Sequence, residues 1–419
     1  MKPVLLILAF LLAAFAAFAQ YEDPNIPKPA SGYGADGPHP VGKITFENPY
    51  FLGKDIEIYY PEDLSGPVPT IFYNHGYGGN FSSHVIGLLQ FVAKKGYAIV
   101  FVPYQTTGIT MEFRYENLIS GFRNAARAYP NIIDTTQVGF MGHSFGGGAC
   151  FANAYECFTE NNWGQNGRFI YATAQWYSYY ISQNQLLTFP QDTKLITEVF
   201  QDDVLNDHRL AADIFNNINI PDDEKDYITV YPDTLNGYVY DAGHSVPTTY
   251  QAFDALDYYA FYRLLDALCD YTFHGNPAGK LVALGNGSAE QTTMPGGLKP
   301  LTQTDHPLAV LPESMYMFPC SAIENLRKNY CAAATSGDNE PMATDNKMNV
   351  FPNPVTSMLT VILPENRIGD RINLYNSTGQ LCYSAPVMDQ QTVQIEVAGL
   401  PPGFYWVAFG GQVVKVVVG

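Results

Sequence analysis

Residues 138–149 decide the fold, and they read Val138-Gly139-Phe140-Met141-Gly142-His143-Ser144-Phe145-Gly146-Gly147-Gly148-Ala149. A β-rich run leads into Ser144, and small residues that open a helix follow it. Such a sharp turn from strand to helix needs glycine on both sides, because the backbone at the serine is strained and a neighbouring side chain would collide with the turn. The pattern Gly-x-Ser-x-Gly therefore predicts that the Ser144 hydroxyl projects above the edge of a sheet.

Short β-rich runs and segments of helical period alternate on both sides of this turn, between Gly42 and Cys269. The alternation predicts a mostly parallel sheet with helices on both faces, which is an α/β fold. The predicted strands are Lys43–Glu47, Asp55–Tyr60, Thr70–Asn74, Ala98–Pro103, Gln137–Gly142, Phe169–Ala174, Leu195–Phe200 and Tyr227–Tyr231. The predicted helices are His84–Lys95, Glu112–Tyr129, Phe145–Phe158, Asp207–Asn217 and Thr248–Leu268.

Composition and charge narrow the classes of protein. Of the 419 residues, 47% are apolar and 15% are charged, which excludes disorder, collagen and coiled coil. Lys and Arg total 22 against 40 Asp and Glu, so the formal charge is −18. A field of that sign repels phosphate, and we therefore expect neither a nucleic-acid partner nor an anionic-lipid partner.

Residues 1–19 read as a secretion signal peptide. Lys2 gives the positive start, residues 4–16 form an apolar run, and Ala17-Phe18-Ala19 before Gln20 is a small-x-small cleavage site. The alternative is a membrane anchor, but the run is shorter than the ~20 residues that span a bilayer. We expect an exported protein that begins near Gln20 and has no stable membrane insertion.

A polar stretch divides the chain. Residues 336–347 contain no Val, Ile, Leu or aromatic residue and are predicted to be a linker. Residues 20–335 form the predicted α/β domain, in which residues 271–335 are an additional segment rich in Gly and Pro. That segment is either an extra packing layer or a substrate-facing insertion.

In residues 348–419, apolar residues recur at every second position. Val393, Ile395 and Val397 alternate with polar residues, and turn signals recur at short intervals. Several short strands at that spacing predict a small all-β sandwich.

The tail also carries specific motifs, which are Phe351-Pro352-Asn353-Pro354, Asn373-Leu374-Tyr375-Asn376 with Gly379-Gln380, Leu400-Pro401-Pro402-Gly403-Phe404-Tyr405 and Lys415-Val416-Val417-Val418. Together they resemble the C-terminal sorting domain of the type IX secretion system of Bacteroidetes. The resemblance implies export through the periplasm and across the outer membrane by that machinery, usually with removal of the tail and release or cell-surface attachment. A carbohydrate-binding β-sandwich is the alternative, although Tyr405 and Trp406 sit in an apolar run as core residues would.

Six cysteines in an exported protein make disulfides possible. Cys150 and Cys157 share one face of a predicted helix and are expected to be buried small hydrophobic residues. Cys269, Cys320 and Cys331 are the candidates for pairing, and the sequence leaves their pairing open.

A glycine-rich loop follows the strand Thr70–Asn74 and reads His75-Gly76-Tyr77-Gly78-Gly79. It stands where an α/β sheet with a serine turn places its first oxyanion donor. The backbone N–H groups of Tyr77 and Phe145 are therefore predicted to form an oxyanion hole. His75 is predicted to be a structural histidine that hydrogen-bonds this loop.

An acid and a base must follow the serine in that order along the chain. Asp202 and Asp203 come directly after a predicted strand, and Asp203 is preferred with Asp202 as the alternative. His244 lies in a loop before the last long helix and is the predicted base. His244 would take the proton from Ser144, and the acid would hold the imidazole in the correct tautomer.

The remaining histidines show no spacing typical of metal ligands, so we expect neither a catalytic metal nor another cofactor.

From about Gly42 to Cys269, the residues that carry a second resemblance are Asn74-His75-Gly76-Tyr77-Gly78, Gly142 to Gly146, Ala174-Gln175-Trp176, Asp203 and His244. The chain resembles an α/β-hydrolase of the dienelactone hydrolase, chlorophyllase and cutinase-like polyester hydrolase group. This resemblance implies an α/β-hydrolase sheet, hydrolysis of carboxylic esters without a large lid, and a substrate-holding role for Trp176. The stretch Tyr177-Ser178-Tyr179-Tyr180 and residues 271–335 have no counterpart in the minimal fold and leave the substrate open.

Trp176 to Tyr180, with Tyr77 beside the oxyanion site, predict a partly apolar cleft suited to acyl or aromatic esters. The sequence thus indicates a secreted or cell-surface serine hydrolase that cleaves lipid, acyl or polyester substrates through an acyl-enzyme. Two alternatives stay open: a secreted serine peptidase, and a binding protein that keeps a hydrolase scaffold without turnover.

Overall fold

The computed structural model describes residues 21–246, 254–309, 316–322, 325–331, 348–363, 371–376, 379–387, 392–409 and 412–419. The chain divides into two compact units, one up to Pro307 and one from Leu308 onward. The sequence had suggested a first domain that runs to residue 335. The predicted signal peptide and the predicted linker lie outside the described residues.

Within the described residues, the first unit is built on a nine-stranded mixed sheet. Its strands are β1 (Val41–Glu47), β2 (Asp55–Pro61), β3 (Val68–Asn74), β4 (Ala98–Phe101), β5 (Ile133–His143), β6 (Arg168–Thr173), β7 (Lys194–Phe200), β8 (Lys225–Val230) and β11 (Thr302–Thr304). Their order is β1-β2-β4-β3-β5-β6-β7-β8-β11. The strands from β4 to β8 in that order are parallel, whereas β1, β2 and β11 pair antiparallel at the two edges. A separate hairpin joins β9 (Asp233–Leu235) and β10 (Tyr238–Tyr240).

Helices cover both faces of this sheet. They are α1 (Ile86–Lys94), α2 (Met111–Ala128), α3 (Phe145–Thr159), α4 (Gln183–Leu187), α5 (Arg209–Asn217), α6 (Arg263–His274), α7 (Pro277–Ala283) and α8 (Ala289–Thr292). A π-helical turn, Leu256–Tyr262, leads into α6, and 3₁₀ turns lie at Ser82–Val85, Asp222–Glu224 and Pro295–Gly297.

Side chains of β3 point alternately to the two faces of the sheet, and each face is covered by helices. Ile71 and Tyr73 point into the core shared with α1 and α6. Phe72 points to the other face, where its ring lies 5.3 Å from that of Phe122 in α2 and 5.5 Å from that of Phe140 in β5. Successive residues of a strand face opposite sides, so an almost wholly apolar strand is what a sheet covered on both faces requires.

The predicted strands and helices correspond closely to the observed ones. Each of the eight predicted strands is present with bounds shifted by a few residues, and the sheet is parallel in its centre as expected. The last predicted helix is the least well matched. Residues 248–253 of it lie outside the described part, and α6 continues to His274. The sequence missed α4 and the β9–β10 hairpin, which are too short to show a period.

The segment after residue 271 adds a packing layer to the first unit. Strand β11 extends the sheet beside β8. Gln291, at the end of α8, is buried and donates from Nε2 to Asp226 Oδ2 at 2.6 Å. This segment therefore covers the β8 edge, and short elements explain its lack of periodicity.

The second unit contains a short helix, α9 (Lys328–Cys331), and antiparallel strands. They are β12 (Asn349–Phe351), β13 (Met358–Ile362), β14 (Arg371–Asn376), β15 (Leu381–Pro386), β16 (Thr392–Glu396), β17 (Gly403–Phe409) and β18 (Gln412–Val418). The sheets β12-β13-β16 and β15-β14-β17-β18 enclose one apolar core. Ile395 and Val397 are buried there, while Gln394 and Glu396 are exposed, as the period of two predicted.

The cysteines divide between the units. Cys150, Cys157 and Cys269 are free and buried, which confirms the prediction for the first two. Cys320 and Cys331 form a disulfide, and Cys382 is free and exposed. Of the three candidates for pairing, Cys269 is thus the one that stays a core thiol.

Candidate active site

Ser144 lies between β5 and α3 in a strained backbone conformation, with φ 56° and ψ −121°. A side chain on Gly146 would overlap the carbonyl oxygen of Asn74, and one on Gly142 would overlap the carbonyl oxygen of Gly146. Glycine is therefore required on both sides of the serine for steric reasons. The backbone follows the turn that the Gly-x-Ser-x-Gly pattern predicts.

Backbone hydrogen bonds tie this turn to the loop that follows β6. The Ser144 N–H donates to the Thr173 carbonyl at 3.0 Å, and the Trp176 N–H donates to the Ser144 carbonyl at 2.9 Å. A Cβ on Gly148 would come within 2.6 Å of the Trp176 and Tyr177 carbonyl oxygens, so the glycines of α3 let this loop pack closely. Trp176 is consequently held beside Ser144, with its side chain half-buried.

The glycine-rich loop after β3 lies against the serine. A Cβ built on Gly76 would stand 3.4 Å from the Ser144 Cβ. Asn74 anchors the start of the loop, because its Nδ2 donates to the Met141 carbonyl at 3.2 Å and its Oδ1 accepts from Asn153 Nδ2 at 2.8 Å. Both partners flank the turn, on β5 and α3, so loop and turn form one rigid structure.

The N–H groups of Tyr77 and Phe145 are the two predicted oxyanion donors. Among the hydrogen bonds within the described part of the chain, none has either N–H as its donor. Phe145 is the first residue of α3, and the first N–H groups of a helix have no intrahelical acceptor. An anionic oxygen above Ser144 would therefore meet N–H groups and the positive end of a helix dipole.

His75 supports the loop, as the sequence predicted. Its Nδ1 donates to the Gly76 carbonyl at 2.8 Å, and its Nε2 accepts from the Tyr104 N–H at 3.1 Å. The ring stacks on Tyr104 with centroids 4.1 Å apart. Burial lowers the pKa of His75 to about 3, so the ring is neutral and does not serve as a base at ordinary pH.

The predicted acid and base are in contact. Nδ1 of His244 donates to Oδ2 of Asp203 at 2.8 Å, and the two side chains are 15% and 6% exposed. The other oxygen, Oδ1, accepts from the N–H groups of Leu205 at 2.9 Å and Asn206 at 3.1 Å. Asp202 is exposed, and it contacts the His244 loop through its N–H, which donates to Ala242. Asp203, the preferred residue of the two, is thus the carboxylate that holds the imidazole.

His143 joins the base to the serine turn. Its ring lies 4.6 Å from the His244 ring, and its Nε2 donates to the His244 carbonyl oxygen at 2.7 Å. Burial, with the nearby His244 as a smaller cause, lowers the pKa of His143 to about 3. A neutral His143 therefore ties the His244 backbone to the residue that precedes Ser144. This role was not identified from the sequence.

Aromatic side chains surround the oxyanion side of Ser144. Phe145 packs on Tyr115 at 5.5 Å between ring centroids, and the Tyr115 hydroxyl accepts from the Tyr179 N–H at 3.0 Å. Tyr77 is 55% exposed, and the Arg114 guanidinium lies 5.2 Å above its ring. Tyr77 and the loop 176–180 belong to the apolar cleft that the sequence predicted, and their role toward a substrate stays a prediction. The sequence missed Arg114 and Tyr115, which lie in α2 and showed only an ordinary helical pattern.

Other exposed apolar side chains stand on the loops at the same edge of the sheet. Val204 and Leu205 follow Asp203, Tyr180 lies in the loop after β6, and Phe113 lies in the first turn of α2, after the loop that leaves β4. Each of these loops leaves the carboxyl end of a parallel strand, which is the edge where open α/β sheets bind ligands. Among the described residues, no group of three or more His, Cys, Asp or Glu is placed to hold a metal ion.

Comparison with known proteins identifies the tail. Residues 349–418 match the secretion system C-terminal sorting domain. The chain ends in a sorting domain. This domain indicates export to the cell surface or secretion, and handling by the type IX secretion machinery. No curated protein matches the chain. None of the helices in the described ranges is long and apolar enough to cross a membrane.

Proposed function

We propose that the first unit is an exported serine hydrolase of carboxylic esters, with Ser144 as nucleophile, His244 as base and Asp203 as the orienting acid. The observation that carries this proposal is the 2.8 Å hydrogen bond between His244 and Asp203, in a loop that His143 fastens to the serine turn. The strand order and the strained serine also support an α/β-hydrolase fold, as the resemblance implied.

The hydrogen bond sets the tautomer of the base. An ionised carboxylate only accepts, so Nδ1 of His244 carries the proton and Nε2 of the neutral ring has a free lone pair. Nε2 takes the proton of Ser144 as Oγ forms a bond to the ester carbonyl carbon. Asp203 then stabilises the imidazolium by its charge, and its own proton count does not change.

The oxyanion formed in this step would lie against the N–H groups of Tyr77 and Phe145. Collapse of the intermediate breaks the bond to the alcohol oxygen, which leaves with the proton from Nε2. Water then gives a proton to Nε2 and attacks the acyl-enzyme, and a second collapse releases the acid and returns the proton to Ser144. An oxyanion donor in a fixed position contributes about 3 kcal/mol to this chemistry.

The surroundings favour esters with an apolar acyl part. Trp176 is tied to Ser144 through its backbone N–H, and the exposed side chains of Tyr77, Tyr180, Val204 and Leu205 stand on loops at the same edge of the sheet. Lipid, acyl and polyester substrates all present an ester beside apolar atoms, and they fit this open edge.

The test is hydrolysis of p-nitrophenyl butyrate by the purified protein, its Ser144→Ala variant and a Ser65→Ala control. Ser65 is an exposed serine in the turn before β3. We expect loss of about 10⁴-fold or more in kcat for Ser144→Ala and no change for the control. A fluorophosphonate should label the wild-type protein on the peptide that contains Ser144. Retained activity in Ser144→Ala would exclude the proposal.

The same protein distinguishes the two alternatives. Butyrate and peptide p-nitroanilides, compared with the matching esters, separate an esterase from a peptidase, because a peptidase turns over amides at comparable kcat/KM. A protein that binds esters but takes up no fluorophosphonate would be a binding protein without turnover.

A further inference from the structure

The residues that open the described chain lie against the loop that carries His244. Asp23 is the centre of this contact. Its Oδ1 accepts from the Tyr240 hydroxyl at 2.8 Å, and its Oδ2 accepts from the Ala255 N–H at 3.2 Å. Tyr240 precedes His244 by four residues and is fully buried, and Ala255 stands just before the π-helical turn. One carboxylate therefore joins the chain before His244 to the chain after it.

Asp23 is itself held rigidly. Its Oδ1 also accepts from the N–H groups of Asn25 at 2.8 Å and Ile26 at 2.9 Å, which fixes the side chain in a turn. Among the ion pairs of the described residues, none includes Asp23. Its partners are neutral donors from three separate parts of the chain, so its role is that of an acceptor that joins them.

Neighbouring contacts keep the segment 21–27 in place. Asn25 Nδ2 donates to the Leu235 carbonyl at 2.9 Å, on the β9–β10 hairpin. The Tyr259 hydroxyl donates to the Pro27 carbonyl at 2.9 Å, and the Tyr21 ring meets that of Tyr258 edge-on at 5.3 Å. The hairpin precedes His244 in the chain, and the π-helical turn follows it.

Within residues 241–246, the hydrogen bonds from other elements come from the sheet side: His143 donates to the His244 carbonyl, the Asp202 N–H donates to Ala242, and the imidazole contacts Asp203. Ala242 and Val246 are also buried in the core of the first unit. At the ends of the loop, the Tyr238 hydroxyl donates to Asp254 Oδ2 at 3.4 Å. Asp23 joins the two ends through the shorter contacts with Tyr240 and Ala255.

We propose that Asp23 is a positioning residue of the active site. By holding Tyr240 and Ala255, which lie before and after His244 in the chain, it sets the position and orientation of the His244 imidazole. This inference rests on the proposed function. A catalytic group displaced by about 1 Å loses on the order of 10²-fold in rate, so small shifts of this loop have large effects on turnover. Substrate binding involves other loops and stays unchanged.

The test compares Asp23→Ala, Asp23→Asn and Tyr240→Phe with the control Asp36→Ala. Asp36 belongs to the same N-terminal region, but it pairs with Lys28 at 2.6 Å on the surface. We expect kcat on p-nitrophenyl butyrate, per site titrated with fluorophosphonate, to fall about 10- to 100-fold for Asp23→Ala, with KM within about twofold. Asp23→Asn keeps one acceptor oxygen and should lose less, as should Tyr240→Phe. The control should match the wild type.

Amide hydrogen exchange of peptides from residues 238–246 gives a readout independent of catalysis. Exchange should speed up in Asp23→Ala and in Tyr240→Phe but not in Asp36→Ala. If Asp23→Ala does not fold, Tyr240→Phe and Asp23→Asn carry the test.

The outcomes separate the two proposals. A wild-type protein that neither hydrolyses esters nor takes up the label refutes the proposed function. An active wild type with unchanged kcat in the Asp23 and Tyr240 variants overturns the inference alone. Unchanged exchange in residues 238–246 also overturns it, whatever the activity.

Discussion

The serine turn and the His244 loop contribute to one candidate site, but they are held in different ways. The turn is fixed by backbone contacts so close that only glycine fits, at Gly142 and Gly146. Within the described residues, the His244 loop is held by one backbone hydrogen bond, from Asp202 to Ala242, and otherwise by the side chains of Asp203, His143 and Tyr240 with its partner Asp23. A serine placed by steric exclusion requires glycine at the two flanking positions, whereas a histidine placed by hydrogen bonds depends on residues far away in the sequence.

The largest expected effect concerns Asp203, which orients the proposed base. Asp203→Asn replaces an acceptor with an amide that can present a donor to Nδ1 of His244, and the ring then adopts the wrong tautomer. We expect a loss of about 10⁴-fold in kcat. Steady-state kinetics on p-nitrophenyl butyrate measures it.

Asp202→Asn is the matched control, because the side chain of Asp202 is exposed and adjacent. It should change kcat by less than about twofold. Equal losses in the two variants would contradict the assignment of Asp203.

The second effect tests whether close backbone contacts at the serine turn leave no room for a side chain. Gly146→Ala places a methyl group on the Asn74 carbonyl oxygen and should lower the free energy of unfolding by about 3 kcal/mol. Gly53→Ala meets no atom within 4 Å and costs about 1 kcal/mol, through its left-handed φ alone. Urea denaturation measures both, and a Gly146→Ala variant as stable as Gly53→Ala would refute exclusion.

The smallest effect concerns His75, which supports the loop beside the serine turn. Its titration should change the free energy of unfolding by about 1.4 kcal/mol per pH unit. The pKa of His75 is lowered from 6.5 to about 3, so the fold favours the neutral ring. The stability that it contributes is complete above pH 6.5 and is lost as the pH falls toward 3. A glutamine can make the same two hydrogen bonds without titrating.

The free energy of unfolding of wild type and His75→Gln should therefore run parallel above pH 6.5 in urea titrations. Below that pH the wild type should lose stability relative to the variant. Curves that stay parallel down to pH 4.5 would show that His75 does not titrate in this way.

The two regions also differ in how far the sequence predicted them. The turn at Ser144 and the strands around it follow from local patterns, since the glycines, the apolar runs and the period of each segment lie within a few residues. Asp203 was predicted from its position after a strand, and His244 from its place in a loop before the last long helix. The residues that hold the His244 loop were not found, because Tyr240 and Asp23 are 217 residues apart and His143 and His244 are 101 apart. No local pattern records a hydrogen bond across such a distance.

The placement of the thiols gives each unit its own chemical reporter. Cys150, Cys157 and Cys269 are buried in the first unit, and Cys382 is exposed in the second. A maleimide added to the native protein should therefore modify the sorting domain at once and spare the first unit. Reaction at the other three thiols records the opening of the first unit, so one reagent with mass spectrometry follows tail accessibility and core unfolding separately in the same sample.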